Sequence, residues 1–274
     1  MTLTPTRTIL DHAAAARTGA GAFNVLHLET AEALVGAAED TGLPVILQLS
    51  ENCVRYHGGF EPIAQAMLAV AEASSAAVAV HLDHAEDPEL ALLAIDRGFG
   101  SVMYDGAKLA FAQNVATTRR VVERAALAGV LVEAELGEIG GKDGAHAPGV
   151  RTDPDEAAQF IAETGVDALA VAVGSSHAMT ERNAALDLEL NARLHNAVPV
   201  PLVLHGSSGV PDETIVRGIR SGLTKINVST HLNGAFTGAI RDHLAQHPSA
   251  VDSRKYLAAG RHAVRLEAGR EVFS

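Results

Sequence analysis

Residues 77–84, AVAVHLDH, show the pattern from which the fold is predicted. The segment begins as an apolar run rich in Ala and Val, and it ends in an Asp-His pair. Seven other short apolar runs also end in polar residues or glycine, and a longer helix-like stretch follows each run. The eight runs cover residues 22–25, 44–50, 77–84, 101–105, 131–135, 168–177, 201–205 and 225–230. Because they do not alternate cleanly with polar residues, they are typical of strands buried on both faces of a parallel sheet.

The spacing of these runs favours a closed barrel. Their starts extend from residue 22 to residue 225, so the seven intervals average 29 residues, close to the ~30 residues of one strand–helix–strand unit. Residues 29–41 and 109–128 have helical spacing of apolar residues, and Asp153-Pro154 predicts a capped helix start. An open doubly wound sheet is the alternative, but it would normally carry a glycine-rich turn after its first strand. We therefore predict an α/β fold, a (β/α)8 TIM barrel, formed by residues 1–274 as a single domain.

Composition excludes several classes of function. The chain has 274 residues, of which 47% are hydrophobic and 20% charged, and its formal net charge is −12. An acidic chain of this kind lacks the basic face that a nucleic-acid or anionic-membrane binder needs. Its one cysteine, Cys53, rules out an intrachain disulfide and suits a reducing compartment. We expect a cytoplasmic protein with neither nucleic-acid nor membrane partners.

Histidines and carboxylates lie at the predicted strand ends, which meet at one mouth of a barrel. His84, His177 and His205 end three different strands. Imidazole suits Zn²⁺ best among common ions, and three protein ligands leave a coordination position open for substrate. Asp105 and Glu135 also lie at strand ends. They are predicted either to form a second metal site or to hold the histidine tautomers by hydrogen bonds.

Asp83 and His84 are adjacent, and adjacent residues of a regular strand point to opposite sides. If both serve one site, the strand must end or twist between them. Asp83 would then exchange a proton with a substrate hydroxyl. The alternative is that its carboxylate only holds a histidine in place.

Two loops at the last strands are suited to an anion. Gly206-Ser207-Ser208-Gly209 follows the seventh run, and Asn227-Val228-Ser229-Thr230 closes the eighth. Small residues before a helix expose backbone N–H groups, and phosphate sites after strands seven and eight are frequent in TIM barrels. Residues 140–149 contain four glycines, which predicts either a lid or a plain surface loop.

These motifs together resemble the class II (zinc-dependent) ketose-bisphosphate aldolases, which include the fructose- and tagatose-bisphosphate aldolases. The resemblance extends from about residue 22 to residue 261, and within the family it is closest to the tagatose-bisphosphate-like branch. It rests on HLDH (81–84), VEAELG (132–137), VGSSH (173–177), LHGSSGVP (204–211) and KINVST (225–230).

The resemblance assigns roles to residues at each of these motifs. It implies Zn²⁺ bound by His84, His177 and His205, and a second, alternative metal site at Asp105 and Glu135. Asp83 would be the acid/base, and Asp143, by its position in the glycine-rich loop, the acid that protonates C3. The residues implied in holding the dihydroxyacetone phosphate part are Gly206, Ser207, Ser208, Asn227, Ser229 and Thr230. Ser50 and Asn24 match positions near the aldehyde half. Members also hold a monovalent cation, usually Na⁺ or K⁺, and form homodimers or homotetramers.

We therefore expect a metal-dependent aldolase, a carbon–carbon lyase of carbohydrate metabolism. It would reversibly cleave a ketose 1,6-bisphosphate or related ketose 1-phosphate into dihydroxyacetone phosphate and an aldehyde through a zinc-stabilised enediolate. Asp83 would take the C4-hydroxyl proton. A zinc-dependent TIM-barrel hydrolase is the alternative, although such enzymes commonly begin with a His-x-His pair and this chain has Phe23-Asn24-Val25. A sugar-phosphate sensor without catalytic activity is a further alternative.

Overall fold

The computed structural model describes residues 3–136, 151–176 and 181–270. Eight parallel strands pair in sequence order and close into a barrel, with β8 returning to β1. The strands are β1 Ala20–Asn24, β2 Val45–Ser50, β3 Val78–Ala85, β4 Ser101–Tyr104, β5 Leu131–Glu135, β6 Ala168–Ala170, β7 Leu202–Leu204 and β8 Leu223–Val228. The predicted (β/α)8 barrel is confirmed.

Helices surround the barrel and separate consecutive strands. They are α1 Thr6–Ala16, α2 Leu28–Thr41, α3 Glu51–Tyr56, α4 Phe60–Ala73, α5 Pro88–Asp96, α6 Phe111–Ala128, α7 Pro154–Thr164, α8 Leu188–Ala197, α9 Asp212–Arg220, α10 Thr230–Gln246 and α11 Ser253–Arg270. None of these described helices is long and apolar enough to cross a membrane.

Local sequence signals explain several helix ends. Asp153 caps α7 by accepting hydrogen bonds from the N–H groups of Asp155 and Glu156, as the Asp-Pro pair predicts. Gly42 and Gly129 end α2 and α6 in the left-handed conformation, at φ 69° and 68°, which glycine adopts without a Cβ penalty. The predicted helices 29–41 and 109–128 therefore match the observed ones to within two residues.

The sixth predicted strand, residues 168–177, is wrong beyond its first three residues, as far as the structure describes it, to residue 176. Strand β6 ends at Ala170. Beyond it, Ala172 pairs with Thr152 instead of with a neighbouring strand: its N–H donates to Thr152 Oγ1 (2.8 Å) and its carbonyl accepts from the Thr152 N–H (3.1 Å). A residue distant in the sequence thus takes the backbone groups that a longer strand would have used. The eighth strand also begins two residues earlier than predicted, at Leu223.

The interior of the barrel is divided into two parts. At the amino ends of the strands, Ile9 and Leu10 of α1 close the barrel over an apolar cluster that includes Ile46, Met103 and Val203. Towards the carboxyl ends polar and charged side chains point inward, and four of them, Gln48, His81, Glu133 and Lys225, are as buried as the apolar cluster. The apolar base therefore supports a polar layer directly below the mouth.

Candidate active site

Strand β3 is irregular where the sequence places Asp83 beside His84. The pairing of β3 with β4 shifts register between Leu82 and Ala85. His84 has φ 48°, a left-handed conformation that non-glycine residues rarely adopt. This bulge satisfies the predicted requirement for a twist between the two residues, and it brings both Asp83 and His84 to the mouth.

His84 and His205 face each other across the mouth. Nε2 of His84 lies 2.7 Å from Nδ1 of His205, and the two rings are nearly perpendicular. Each remaining ring nitrogen lies beside a carboxylate: Nδ1 of His84 is 2.9 Å from Asp105 Oδ2, and Nε2 of His205 is 2.9 Å from Glu133 Oε1. We assign a proton to each nitrogen that faces a carboxylate, since a carboxylate only accepts. Two lone pairs then point at each other, an arrangement that a cation between them relieves.

The donor set at this point fits a metal such as Zn²⁺. Asp83, His84 and His205 each offer a ligand atom, and those atoms lie within 4.8 Å of one another. His84, Asp105 and Glu135 form a second such group. Asp105 and Glu135 are buried, and Glu135 Oε2 is 3.8 Å from Nδ1 of His84. The histidine–carboxylate pairs are those commonly found behind metal-bound imidazoles.

Two amides hold the Asp83 carboxylate in place. Asn24 donates from Nδ2 to Asp83 Oδ2 (2.9 Å), and Asn227 donates from Nδ2 to Oδ1 (3.4 Å). Burial by itself raises the pKa of Asp83, but nearby His84, His205 and Lys225 and the Asn24 hydrogen bond outweigh it and lower the pKa to about 2. The group is therefore an ionised proton acceptor at neutral pH.

The loops after β7 and β8 are bonded to each other. Ser207 donates from Oγ to the carbonyl of Asn227, and Ser208 Oγ accepts from the N–H groups of Ser229 and His231 (both 3.3 Å). Gly206 has φ 66°, and a Cβ there would lie 2.5 Å from the Ser176 carbonyl oxygen, so the close approach requires glycine. Thr230 begins α10 directly beside this loop pair. The predicted phosphate residues are thus gathered at one helix N-terminus.

The remaining predicted residues have mixed outcomes. Asn24 lies in the cluster with Asp83, whereas Ser50 caps α3 by accepting from the N–H of Cys53 (3.2 Å). Ser50 still lies next to the site, because it pairs in register with Asp83. His177 and Asp143 lie outside the described residues.

Sequence reasoning missed four buried polar residues immediately below the mouth: Gln48, His81, Glu133 and Lys225. Lys225 Nζ donates to Glu133 Oε2 (2.7 Å) and lies 3.4 Å from His81 Nε2. Burial, followed by the charge of Lys225, lowers the pKa of His81 well below its usual value, so His81 is neutral. Gln48 donates from Nε2 to Asn24 Oδ1 (3.2 Å).

A signal for these four residues does exist in the sequence. Each precedes a predicted site residue by two positions, as Glu133 precedes Glu135 and Lys225 precedes Asn227. Residues two apart on a strand share a face. Polar residues at these positions in apolar strands therefore indicate a second polar layer inside the barrel.

Comparison with known proteins gives a consistent result. The family model described as fructose-bisphosphate aldolase class-II matches residues 4–272. A fructose-bisphosphate aldolase of Geobacillus stearothermophilus is 40% identical over 97% of this chain and 94% of its own length. A 6-phospho-5-dehydro-2-deoxy-D-gluconate aldolase of Bacillus licheniformis is 38% identical over 89% of this chain and 85% of its own.

Among solved structures, the YdjI aldolase from Escherichia coli K12 superposes with a TM-score of 0.86 and 31% identity, covering 98% of this chain and 96% of that one. The family model spans nearly the whole chain, and both the sequence relatives and the structural match are aldolases. The chain therefore belongs to the class-II fructose-bisphosphate aldolase family.

Proposed function

We propose that this class II aldolase cleaves a phosphorylated ketose between C3 and C4, giving dihydroxyacetone phosphate and an aldehyde, and catalyses the reverse condensation. The observation that carries the proposal is the pair of opposed histidine nitrogens, 2.7 Å apart, next to the amide-held carboxylate of Asp83. This arrangement supports the proposal of a metal site and a proton acceptor at the same barrel mouth. The family assignment gives no support to the hydrolase alternative.

His84 and His205 would hold the catalytic Zn²⁺ through Nε2 and Nδ1, with His177 as the third ligand. When bound there, the ion supplies Lewis-acid stabilisation of negative charge on the substrate oxygens. Asp105 accepts from His84 and so orients its ring. We propose this orienting role for Asp105, with Glu135 beside it, and the alternative second metal position uses the same two carboxylates.

Asp83 would move the proton of the C4 hydroxyl. In cleavage its ionised carboxylate takes that proton as the C3–C4 bond breaks, and in condensation it returns the proton. Asn24 and Asn227 keep the carboxylate facing the mouth, because each donates to a different oxygen. Asp143 is proposed as the acid that protonates C3.

The joined loops after β7 and β8 would bind the phosphate of the dihydroxyacetone phosphate part. Backbone N–H groups at the start of α10, with Gly206, Ser207, Ser208, Asn227, Ser229 and Thr230 around them, suit a dianion at the positive end of a helix dipole. A Na⁺ or K⁺ ion held beside these loops, and assembly as a homodimer or homotetramer, are parts of the same proposal. So is a single catalytic domain formed by the whole chain.

Two candidate substrate classes follow from the names of the relatives. The Geobacillus protein is named for fructose bisphosphate and the Bacillus protein for a phosphorylated deoxygluconate, at 40% and 38% identity. Both substrates are phosphorylated at the end of the chain and both carry a ketone. We place Asn24 and Ser50 on the aldehyde side, where the two substrates differ.

The test is an assay of the Zn²⁺-loaded chain against a panel of phosphorylated ketoses, with and without a chelator. Chelator-sensitive release of dihydroxyacetone phosphate from one of them supports the proposal and identifies the aldehyde half. If Zn²⁺ binds but the panel yields no triose phosphate, the aldol cleavage proposed here is wrong and the sensor alternative returns.

A further inference from the structure

A buried lysine at the centre of the barrel faces two groups that can accept hydrogen bonds from its ammonium. Lys225 is 1% exposed, and its ammonium has donors and no acceptor. It donates to Glu133 Oε2 at 2.7 Å and approaches Nε2 of His81 at 3.4 Å. Lys225 therefore requires a hydrogen-bond acceptor at both of these positions.

The second oxygen of Glu133 faces the metal site. Glu133 is fully buried, and its Oε1 lies 2.9 Å from Nε2 of His205, which is also fully buried. A carboxylate accepts at both oxygens, so it takes the His205 proton at Nε2 and leaves Nδ1 with a lone pair. That lone pair is the one that points at His84. Asn227 Nδ2 lies 3.1 Å from the same Nε2, but the charged and nearer carboxylate determines where the proton resides.

We propose that Glu133 is a positioning residue that fixes the tautomer of His205 for metal binding, and that Lys225 enforces its orientation. The inference rests on the proposed function, because it concerns a histidine assigned there as a metal ligand. Neither Glu133 nor Lys225 contacts substrate in this proposal. In this proposal their effect on metal binding passes through His205.

The lysine makes the glutamine variant of Glu133 informative. In Glu133→Gln, the amide has one acceptor and one donor end, and Lys225 selects the acceptor. The NH₂ group then faces His205 and donates to Nε2, which moves the histidine proton to Nδ1, where it blocks the metal. Replacing Lys225 with methionine as well removes that selection, so the amide turns its oxygen to His205 and restores the productive tautomer.

The experiment uses the full-length chain, first metal-free and then titrated with Zn²⁺ against a competing chelator. Nitrogen-15 NMR of labelled histidines reports which nitrogen of His205 carries the proton. We expect the Nε2–H tautomer in the parent chain, the Nδ1–H tautomer in Glu133→Gln, and a ~10–100-fold weaker affinity for Zn²⁺ in that variant. The double variant Glu133→Gln/Lys225→Met is expected to recover the parent tautomer and most of the affinity.

Two further variants serve as controls. Glu51→Gln also removes a buried carboxylate, but one that accepts from the N–H groups of Glu86 and Asp87 outside the barrel, so its Zn²⁺ affinity should equal that of the parent chain. Lys225→Met alone leaves Glu133 as the acceptor, so the tautomer should stay at Nε2–H. If the ion pair had only a structural role, the second substitution would not restore binding. The double variant would then bind Zn²⁺ no better than Glu133→Gln.

The proposal is overturned if Glu133→Gln keeps the Nε2–H tautomer, or if its Zn²⁺ affinity lies within twofold of the parent. Both results concern binding and tautomer, and so they are separate from the aldolase assay. If the parent chain has the Nε2–H tautomer of His205 and binds Zn²⁺ tightly but releases no triose phosphate, the proposed function is overturned. The role of Glu133 would still stand.

Discussion

The two halves of the barrel interior have the same burial and opposite chemistry. The base contains small and aliphatic side chains closed by α1, including Leu10, Ile46 and Met103. The layer below the mouth contains His81, Glu133 and Lys225, which are no more exposed than the base residues. The same strands supply both halves, and only the inward residue at each level changes.

This difference separates the stability of the fold, which the base provides, from the chemistry of the site, which the mouth provides. Apolar burial stabilises in proportion to area and has no direction, so the base tolerates changes that conserve volume. Buried charges cost desolvation free energy, and they persist where each has a partner of fixed geometry. The polar residues at the mouth therefore lower the stability of the fold but fix the direction of its hydrogen bonds. They determine which nitrogen of a histidine carries the proton and which oxygen of Asp83 each amide contacts. We expect mutations in the mouth to alter chemistry and mutations in the base to alter stability.

Removal of the metal should have the largest effect at the mouth. Losing one oxyanion-stabilising group commonly costs ~10²–10³ in rate, and losing the ion removes the principal one, so we expect turnover to fall by more than ~10³-fold. The measurement is triose phosphate release after dialysis against a chelator, then after Zn²⁺ is restored. Turnover that survives chelation, with the loss of metal confirmed by elemental analysis, would break the assignment of the mouth to metal chemistry.

Asp83→Asn comes next in size. The amide cannot take the C4-hydroxyl proton, so we expect a ~10²–10⁴-fold loss in turnover while His84 and His205 still bind Zn²⁺. Steady-state cleavage and a Zn²⁺ titration on the same preparation check the two halves of this prediction. Near-parental turnover in the variant would mean that another group takes the C4-hydroxyl proton. Asp83 would then serve only to hold a histidine in place.

Leu10→Ala tests the base. Leu10 is 1% exposed and closes the apolar end, so its truncation should lower the free energy of unfolding by about 2–5 kcal/mol. Denaturant unfolding at a fixed protein concentration measures this loss. Turnover well below the unfolding transition should stay at the parental value. A parallel fall in turnover in the folded variant would show that the two halves are coupled.

The sequence predicts the architecture because the strand-to-strand period and the apolar runs are local properties. It also predicts that Asp83, His84 and His205 lie close together, since the carboxyl ends of parallel strands meet at one mouth, and the structure brings these three residues together. The end of β6 could not be predicted in this way, because Thr152, 20 residues upstream of Ala172, takes that backbone's hydrogen bonds. Contacts of this kind depend on the completed fold.

The second polar layer was missed for a different reason. Attention to strand ends selects Glu135 and Asn227 and passes over Glu133 and Lys225, although the period of two was available. Their pairing across the barrel is a property of the closed sheet, in which β5 and β8 are not neighbours. Sequence alone therefore indicates inward polar residues but not which of them form an ion pair.

The smallest expected effects lie where the two halves meet. Ser101 Oγ lies 2.8 Å from Nδ1 of His81 and 2.7 Å from Oγ1 of Thr6 in α1, so it joins the polar layer to the base. Ser101→Ala leaves a buried imidazole N–H without that acceptor and should cost about 1–3 kcal/mol of stability. Thr6→Val removes the hydrogen bond between the hydroxyl groups of Thr6 and Ser101, both of which are neutral, and should lower the stability by about 1 kcal/mol.

Unfolding free energies and Zn²⁺ titrations of both variants show where residues that affect metal binding give way to residues that affect only stability. Lys225 approaches His81 Nε2 from the other side, so His81 keeps its Nδ1–H tautomer in either variant, and we expect unchanged Zn²⁺ affinity. A shift of more than about threefold in affinity, which corresponds to about 0.7 kcal/mol at 1.4 kcal/mol per factor of ten, would mean that a change at α1 affects the metal site. The polar layer would then be a continuous column from mouth to base, and the base would contribute to chemistry as well as to stability.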